Sequence, residues 1–239
     1  METVLAAVNN MKKIFSLLIL FIILTALIIS CPIITQWDRS IIIFVQQKLS
    51  FLPLWIPMLP DCILYTAMII LPLVGFGIFF IKKRLWIDLI CIYSIPLITF
   101  LLNCIIKPTI KRERPPIELQ ITTIHPDSFS YVSSHSLVTI CLWGVVIWYI
   151  NKFCKYKKLK ISLILIGILW IIFVGFSRIW LGVHNPTDVL GAYVLGSFLL
   201  YLYITFLKNY RHLIDNFILN KNNNKKNNQK SIFFLICLL

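Results

Sequence analysis

Three short stretches hold most of the side chains able to do chemistry. SRIWLGVHNPTD (177–188) carries Arg178, His184 and Asp188; KPTIKRERPP (107–116) carries Lys107 and Arg114; VSSHS (132–136) carries Ser133, Ser134 and His135. Asn185 followed by Pro186 reads as an N-cap and first helical residue, which puts Asp188 in the first turn of a helix. Ser133 or Ser134 reads as the N-cap of another. Two helix N-termini, with unpaired N–H groups and positive dipole ends, beside Lys107, Arg114 and Arg178 form an inventory for binding a phosphate. Each part alone has an ordinary reading: a His–Asp capping pair, cations anchoring span ends at the interface, serine N-caps. The conjunction favours the site.

The elements that must position these residues are membrane helices. The 239-residue chain is 59% hydrophobic and 13% charged, with a mean hydropathy of +0.87, against about 25% charged residues in soluble domains. Six apolar runs, at 14–31, 62–81, 85–106, 136–150, 161–177 and 189–207, match a hydrocarbon layer of roughly 30 Å, and lipid, which satisfies no backbone group, requires them to be helices. The expected fold is therefore all-α, a polytopic six-helix transmembrane bundle. The first run follows Lys12 and Lys13 but is long for a secretion signal and is read as a retained span. Residues 36–55, with Trp37, Ile41 and Phe44 among Asp38, Arg39, Gln46, Gln47 and Lys48, read as an interfacial segment.

Sixteen of the 23 Lys and Arg residues fall in alternate connecting segments that share a side with both termini. The positive-inside rule makes that side cytoplasmic. The net charge of +14 is then mainly a topology signal; basic residues scattered over loops do not make a nucleic-acid footprint. The three chemical stretches fall together on the outer face. The seven cysteines, mostly within spans and without CxxC spacing, read as apolar packing, and no cluster has metal-ligand spacing.

The pattern resembles the type 2 phosphatidic acid phosphatases, membrane lipid phosphatases related to vanadium haloperoxidases and bacterial acid phosphatases. Their signature is a lysine, six intervening residues, Arg-Pro, then Pro-Ser-Gly-His, then Ser-Arg, five residues, His, three residues, Asp. Here Lys107 with Arg114-Pro115, Val132-Ser133-Ser134-His135, and Ser177-Arg178 with His184 and Asp188 stand in that order. The resemblance implies that Lys107, Arg114, Arg178, Ser133 and Ser134 bind the phosphate. It makes His184 the nucleophile of a phosphohistidine intermediate, Asp188 the residue fixing its tautomer, and His135 the acid for the leaving oxygen. It calls for no metal and no cofactor. Serine in place of glycine at 134 implies backbone strain if that position needs φ > 0.

The remaining polar residues receive ordinary readings. Lys111, Arg112, Glu113, His125 and His212 are read as solvated loop or interface, and Asp88 as reaching water or Lys82 to Arg84. Glycines 191 and 196 and Ala192 suit close helix packing. The expected organisation is a lipid phosphatase domain over 1–219, its signature zone at 107–188, and a low-complexity cytoplasmic tail over 220–239. The lysine, asparagine and isoleucine content is that of an AT-rich bacterial genome. The resemblance then implies a multi-pass protein of the bacterial inner membrane, its site on the periplasmic face and its partners the bilayer and a lipid phosphate. Lipid A 1-phosphate leads as substrate, ahead of undecaprenyl diphosphate and phosphatidylglycerol phosphate. A transporter or an inactive lipid-binding relative is the competing class; a transporter calls for charges midway along spans, which these spans nearly lack.

Overall fold

A computed structural model describes residues 2–61, 63–122 and 125–223, with side chains described over 11–210 apart from 63 and 64. Among these residues all regular structure is helical: α1 (Glu2–Ser30), α2 (Pro32–Lys48), α3 (Trp55–Met58), a 3₁₀ turn (Leu59–Asp61), α4 (Ile63–Lys82), α5 (Trp86–Ile110), a 3₁₀ turn (Ile117–Leu119), α6 (Ser134–Phe153), α7 (Lys157–Trp180) and α8 (Pro186–Asn223). Six are long and apolar enough to cross a membrane, at Met11–Ser30, Tyr65–Lys82, Trp86–Ile110, Ser134–Phe153, Lys157–Trp180 and Pro186–Tyr210. All six expected spans are present. The chain divides into the units Met1–Leu202, which carries the residues discussed below, and Tyr203–Leu239, where the Phe206 and Tyr210 rings stack 6.0 Å apart. The side chain of His212 and the tail beyond 223 lie outside the described residues.

Within the first unit α6 is the axis. Its span is 61% buried, against 28% or less in each of the others, and it packs on α4, α5 and α7. The other spans leave large apolar side chains uncovered, such as Ile22, Leu71, Phe100 and Leu169. Lipid covers such faces at no hydrophobic cost. Where α8 meets its neighbours, glycines permit the approach: a Cβ on Gly191 would lie 2.5 Å from the Tyr131 ring, and one on Gly196 2.1 Å from Ile140 Cγ2.

Two elements differ from the sequence reading. Asp88, expected near water or Lys82 to Arg84, is buried in the first turn of α5 and accepts a hydrogen bond of 2.9 Å from the Tyr149 hydroxyl. The segment after α1 breaks at Pro32, which stands in the first turn of α2 and has no N–H to donate back to α1. Helix α2 is amphipathic as read, but it turns Asp38 and Ile42 inward and leaves Trp37, Ile41 and Phe44 exposed.

Candidate active site

The end of α5 and start of α6, and the end of α7 and start of α8, lie at one end of the first unit. The connection from α7 to α8 is five residues. Leu181 N and Gly182 N bond back to Ser177 O and Ile179 O, and Val183 N and His184 N both donate to Arg178 O at 3.2 and 3.3 Å. Gly182 has φ +68°, and a Cβ there would sit 1.9 Å from Leu119 O, so only glycine fits this turn. The turn folds His184 back over Arg178. Asn185 and Pro186 then start α8 as read, with Asn185 N donating to Asp188 Oδ2 at 2.8 Å.

The longer connection, 111–133, is drawn against this turn. Ser130 N donates to Arg112 O at 2.8 Å, Ile121 N to Leu181 O at 3.1 Å, and Ser133 N to Asp188 O at 3.3 Å. A cavity of about 500 Å³ opens between them, lined by Lys107, Arg114, Ser134, His135, Arg178 and His184 together with Asp61, Met58, Thr122, Pro126, Ser128 and Val183. Six of the eight residues read as site residues line it. Asp188 stands behind His184, wholly buried, with Oδ2 3.6 Å from Nδ1. The other ring nitrogen, Nε2, lies 3.4 Å from Arg114 Nη1. The imidazole thus presents one nitrogen to a carboxylate and the other to the cations.

Ser133 does not reach the cavity. Its side chain is buried and accepts a 3.0 Å bond from Ser136 Oγ, and although it occupies the N-cap position of α6 it makes no side-chain cap bond. Ser134 is the first residue of α6, and the described non-glycine residues with positive φ are Arg84 and Lys111, so serine in place of glycine carries no left-handed strain here. Helix α8 also differs from the expected phosphate cradle. Thr187 N donates to Asp38 Oδ1 at 3.1 Å, so the anion at its N-terminus is a carboxylate from α2.

Main-chain oxygens hold Lys107 and Arg114 in place, and side chains hold Arg178. Lys107 Nζ donates to Phe129 O at 2.6 Å, Arg114 Nε to Ser128 O at 2.7 Å and Arg114 Nη1 to Val183 O. Arg178 is 2% exposed; Nε donates to Ser177 Oγ, Nη1 to Asp61 Oδ1 at 2.5 Å, and Nη2 has no partner. A buried guanidinium with an unfilled donor is costly, and an anion in the cavity is the group that would fill it. Burial, opposed by Asp188 and reinforced by Arg114 and Lys107, brings the His184 pKa down to about 3. The ring is neutral across ordinary pH, as a nitrogen nucleophile must be.

Four participants were missed in the sequence. Arg112, read as solvated loop, forms buried ion pairs with Asp188 Oδ1 at 2.5 Å and Asp38 Oδ2 at 2.6 Å. Ser130 donates to Asp188 Oδ2. Asp61 lies 3.7 Å from His135 Nε2 as well as against Arg178, and Tyr65 one turn on packs its ring 4.7 Å from that of His135. A lone acid at the mouth of an apolar span was the available signal for Asp61. Lys111, Glu113 and His125 are exposed, as read.

This combination of six-span helical fold and cation-lined cavity has a family, and the chain belongs to it: the PAP2 superfamily model matches residues 88–211. Among individual relatives, the chain is 35% identical over 136 residues to phosphatidylglycerophosphatase B of Bacillus subtilis (strain 168), covering 54% of this chain and 62% of that one. It is 28% identical over 133 residues to lipid phosphate phosphatase delta of Arabidopsis thaliana (52% and 31% covered), and 28% identical over 116 residues to undecaprenyl-diphosphatase BcrC of Bacillus subtilis (48% and 55% covered). The chain thus spans less than two thirds of each curated relative. The crystal structure of a transmembrane PAP2 type phosphatidylglycerolphosphate phosphatase from Bacillus subtilis superposes with a TM-score of 0.68 at 28% identity, over 82% of this chain and 96% of that one.

Proposed function

We propose that the protein is a membrane lipid phosphatase working through a phosphohistidine. The observation that carries this is the convergence of Lys107, Arg114 and the unfilled Arg178 guanidinium on one cavity with His184 and His135 in its wall. A phosphate monoester carries about −1.5 to −2 charges, which the cations offset so that a nucleophile can approach. His184 Nε2 attacks phosphorus while the bond to the lipid oxygen breaks. Protonated His135 gives its proton to that oxygen, and Asp188 steadies the positive ring that forms on His184. Water then attacks the phosphohistidine, loses its proton to His135 and releases phosphate.

Two of the relatives are named for phosphatidylglycerophosphate and undecaprenyl diphosphate, and these lipids head the substrate list. None of the relatives above is named for lipid A, the leading substrate from the sequence, and it is set aside. On the positive-inside rule the cavity faces away from the cytoplasm. The test is phosphate release by the full chain from a panel of phosphatidylglycerophosphate, undecaprenyl diphosphate and phosphatidate, with acid-labile, base-stable phosphate captured on His184. Failure to release phosphate from any lipid, or full turnover in His184→Ala, overturns the reading.

A further inference from the structure

Helix α2 precedes the residues matched by the family model, and none of its side chains lines the cavity. Its inner face nevertheless holds both loops that build the site. Asp38, Ile42 and Gln46 follow one another at four-residue spacing and so share one stripe of the helix. Asp38 is 1% exposed; its Oδ2 accepts from Arg112 Nη2 and from Thr187 Oγ1, both at 2.6 Å, and its Oδ1 from Thr187 N. Arg112 continues through Nη1 to Asp188 Oδ1 at 2.5 Å and to Thr187 Oγ1 at 2.8 Å. Two turns along α2, Gln46 Nε2 donates to Leu119 O at 2.8 Å and to Trp180 O at 3.0 Å, joining the 111–133 connection to the end of α7.

We propose that α2 is a strut that sets the His184–Asp188 pair, with Asp38 and Gln46 as positioning residues and Arg112 as the link from Asp38 to Asp188. The physical reason is rotational. A carboxylate free to turn would offer His184 either oxygen or neither; with Oδ1 fixed by Arg112, Oδ2 stays on the imidazole, Ser130 and Asn185 N. Asp38 in turn gives the Arg112 guanidinium one geometry, since it is anchored twice on Thr187. Charge follows the same line. The groups facing His184 are Asp188 from α8, Arg114 from the connecting loop and Lys107 from α5, while Arg112 and Asp38 act on it through Asp188. The outer face of α2, with Trp37, Ile41 and Phe44 exposed, suits lipid at the interface, where a rigid helix can brace two loops.

The turnover arm of the test rests on the phosphatase reading; a second arm does not. In the full chain in lipid nanodiscs, Arg112→Gln should lower kcat by about tenfold to a hundredfold and change KM by no more than about twofold, because the residue does not line the cavity. The acid limb of its kcat/KM profile should move to higher pH, since an uncompensated Asp188 favours the His184 imidazolium. Asp38→Asn should add no more than about twofold to the loss in Arg112→Gln, because both act through one link. Independently of turnover, Asp38→Asn and Gln46→Met should speed amide hydrogen exchange in peptides spanning 112–122 and 177–188 while vanadate still binds. Unchanged exchange in both peptides overturns the strut, as do losses that multiply in the double variant. A wild-type chain that hydrolyses no lipid phosphate refutes the phosphatase reading instead, and the exchange arm still decides the strut.

Discussion

Replacing Asp188 by asparagine tests the core of the proposed mechanism, and the structure gives the size of the effect. The carboxylate faces only donors: Arg112 Nη1 on Oδ1, and Ser130 Oγ, Asn185 N and His184 Nδ1 on Oδ2. Asparagine has one acceptor oxygen. Whichever way its amide is turned, an NH₂ group meets a donor, and the charge that offsets Arg112 and the developing imidazolium is gone. Removing one partner of a buried ion pair costs about 3–5 kcal/mol in stability, and the pair here is 10% and 0% exposed. For catalysis, withdrawing an aspartate that fixes a histidine tautomer costs about 10⁴ in kcat, equivalent to roughly 5 kcal/mol of barrier. The assay is phosphate release in nanodiscs alongside a thermal melt. Ser130→Ala, which removes one donor and leaves the charge in place, should stay folded and lose about tenfold, one hydrogen bond's worth. Asp188→Asn with turnover within tenfold of wild type and an unchanged melt would refute the argument, because neither the tautomer nor the charge would then matter.

Asp61→Asn removes an anion from Arg178, so vanadate should bind more tightly; a unit charge near 4 Å is worth about 1–4 kcal/mol between water and a protein surface, and partial exposure of Asp61 (34%) favours the lower end, about fivefold. Weaker vanadate inhibition would instead make Asp61 part of the cradle through its hold on Arg178. Because the folded pKa of His184, about 3, is below the ordinary histidine value, the unfolded chain binds the extra proton first. Stability should therefore fall as pH is lowered through the window from about 6.5 to about 3, and melting curves between pH 4 and 7 should flatten in His184→Asn. Since the proposed mechanism has protein cations supply the charge around the phosphate, turnover should survive excess EDTA and be blocked by vanadate; rescue of an EDTA-dead enzyme by a divalent ion would sink the histidine mechanism. A cysteine at exposed Asp127, in a background lacking native cysteines, should be labelled from outside intact cells and one at Lys158 should not; the reverse pattern inverts the proposed orientation.

The spans were legible because a bilayer forces each one to be a single long apolar helix, and six of the eight residues read for the site were legible as neighbours of one cavity because their types and spacing at span ends match a known signature. What local pattern could not supply was partnership across the chain. Arg112 and Arg114 stand two residues apart in KRERPP; the following proline marks Arg114 by the signature, but nothing near Arg112 gives its partner, which is Asp38, 74 residues earlier. Asp61 is likewise defined by Arg178, 117 residues later. The reading of α2 missed for a different reason. Its amphipathic pattern was found, but the polar side was assigned to the aqueous interface, as for a helix lying on a membrane. Beside a polar site the preference reverses: lipid takes Trp37, Ile41 and Phe44, while Asp38 and Gln46 find their donors and acceptors in the protein. An amphipathic segment next to a membrane enzyme's catalytic loops thus has two places to satisfy its polar face. A carboxylate four residues from a buried isoleucine and eight from a glutamine is as consistent with a strut as with a surface float.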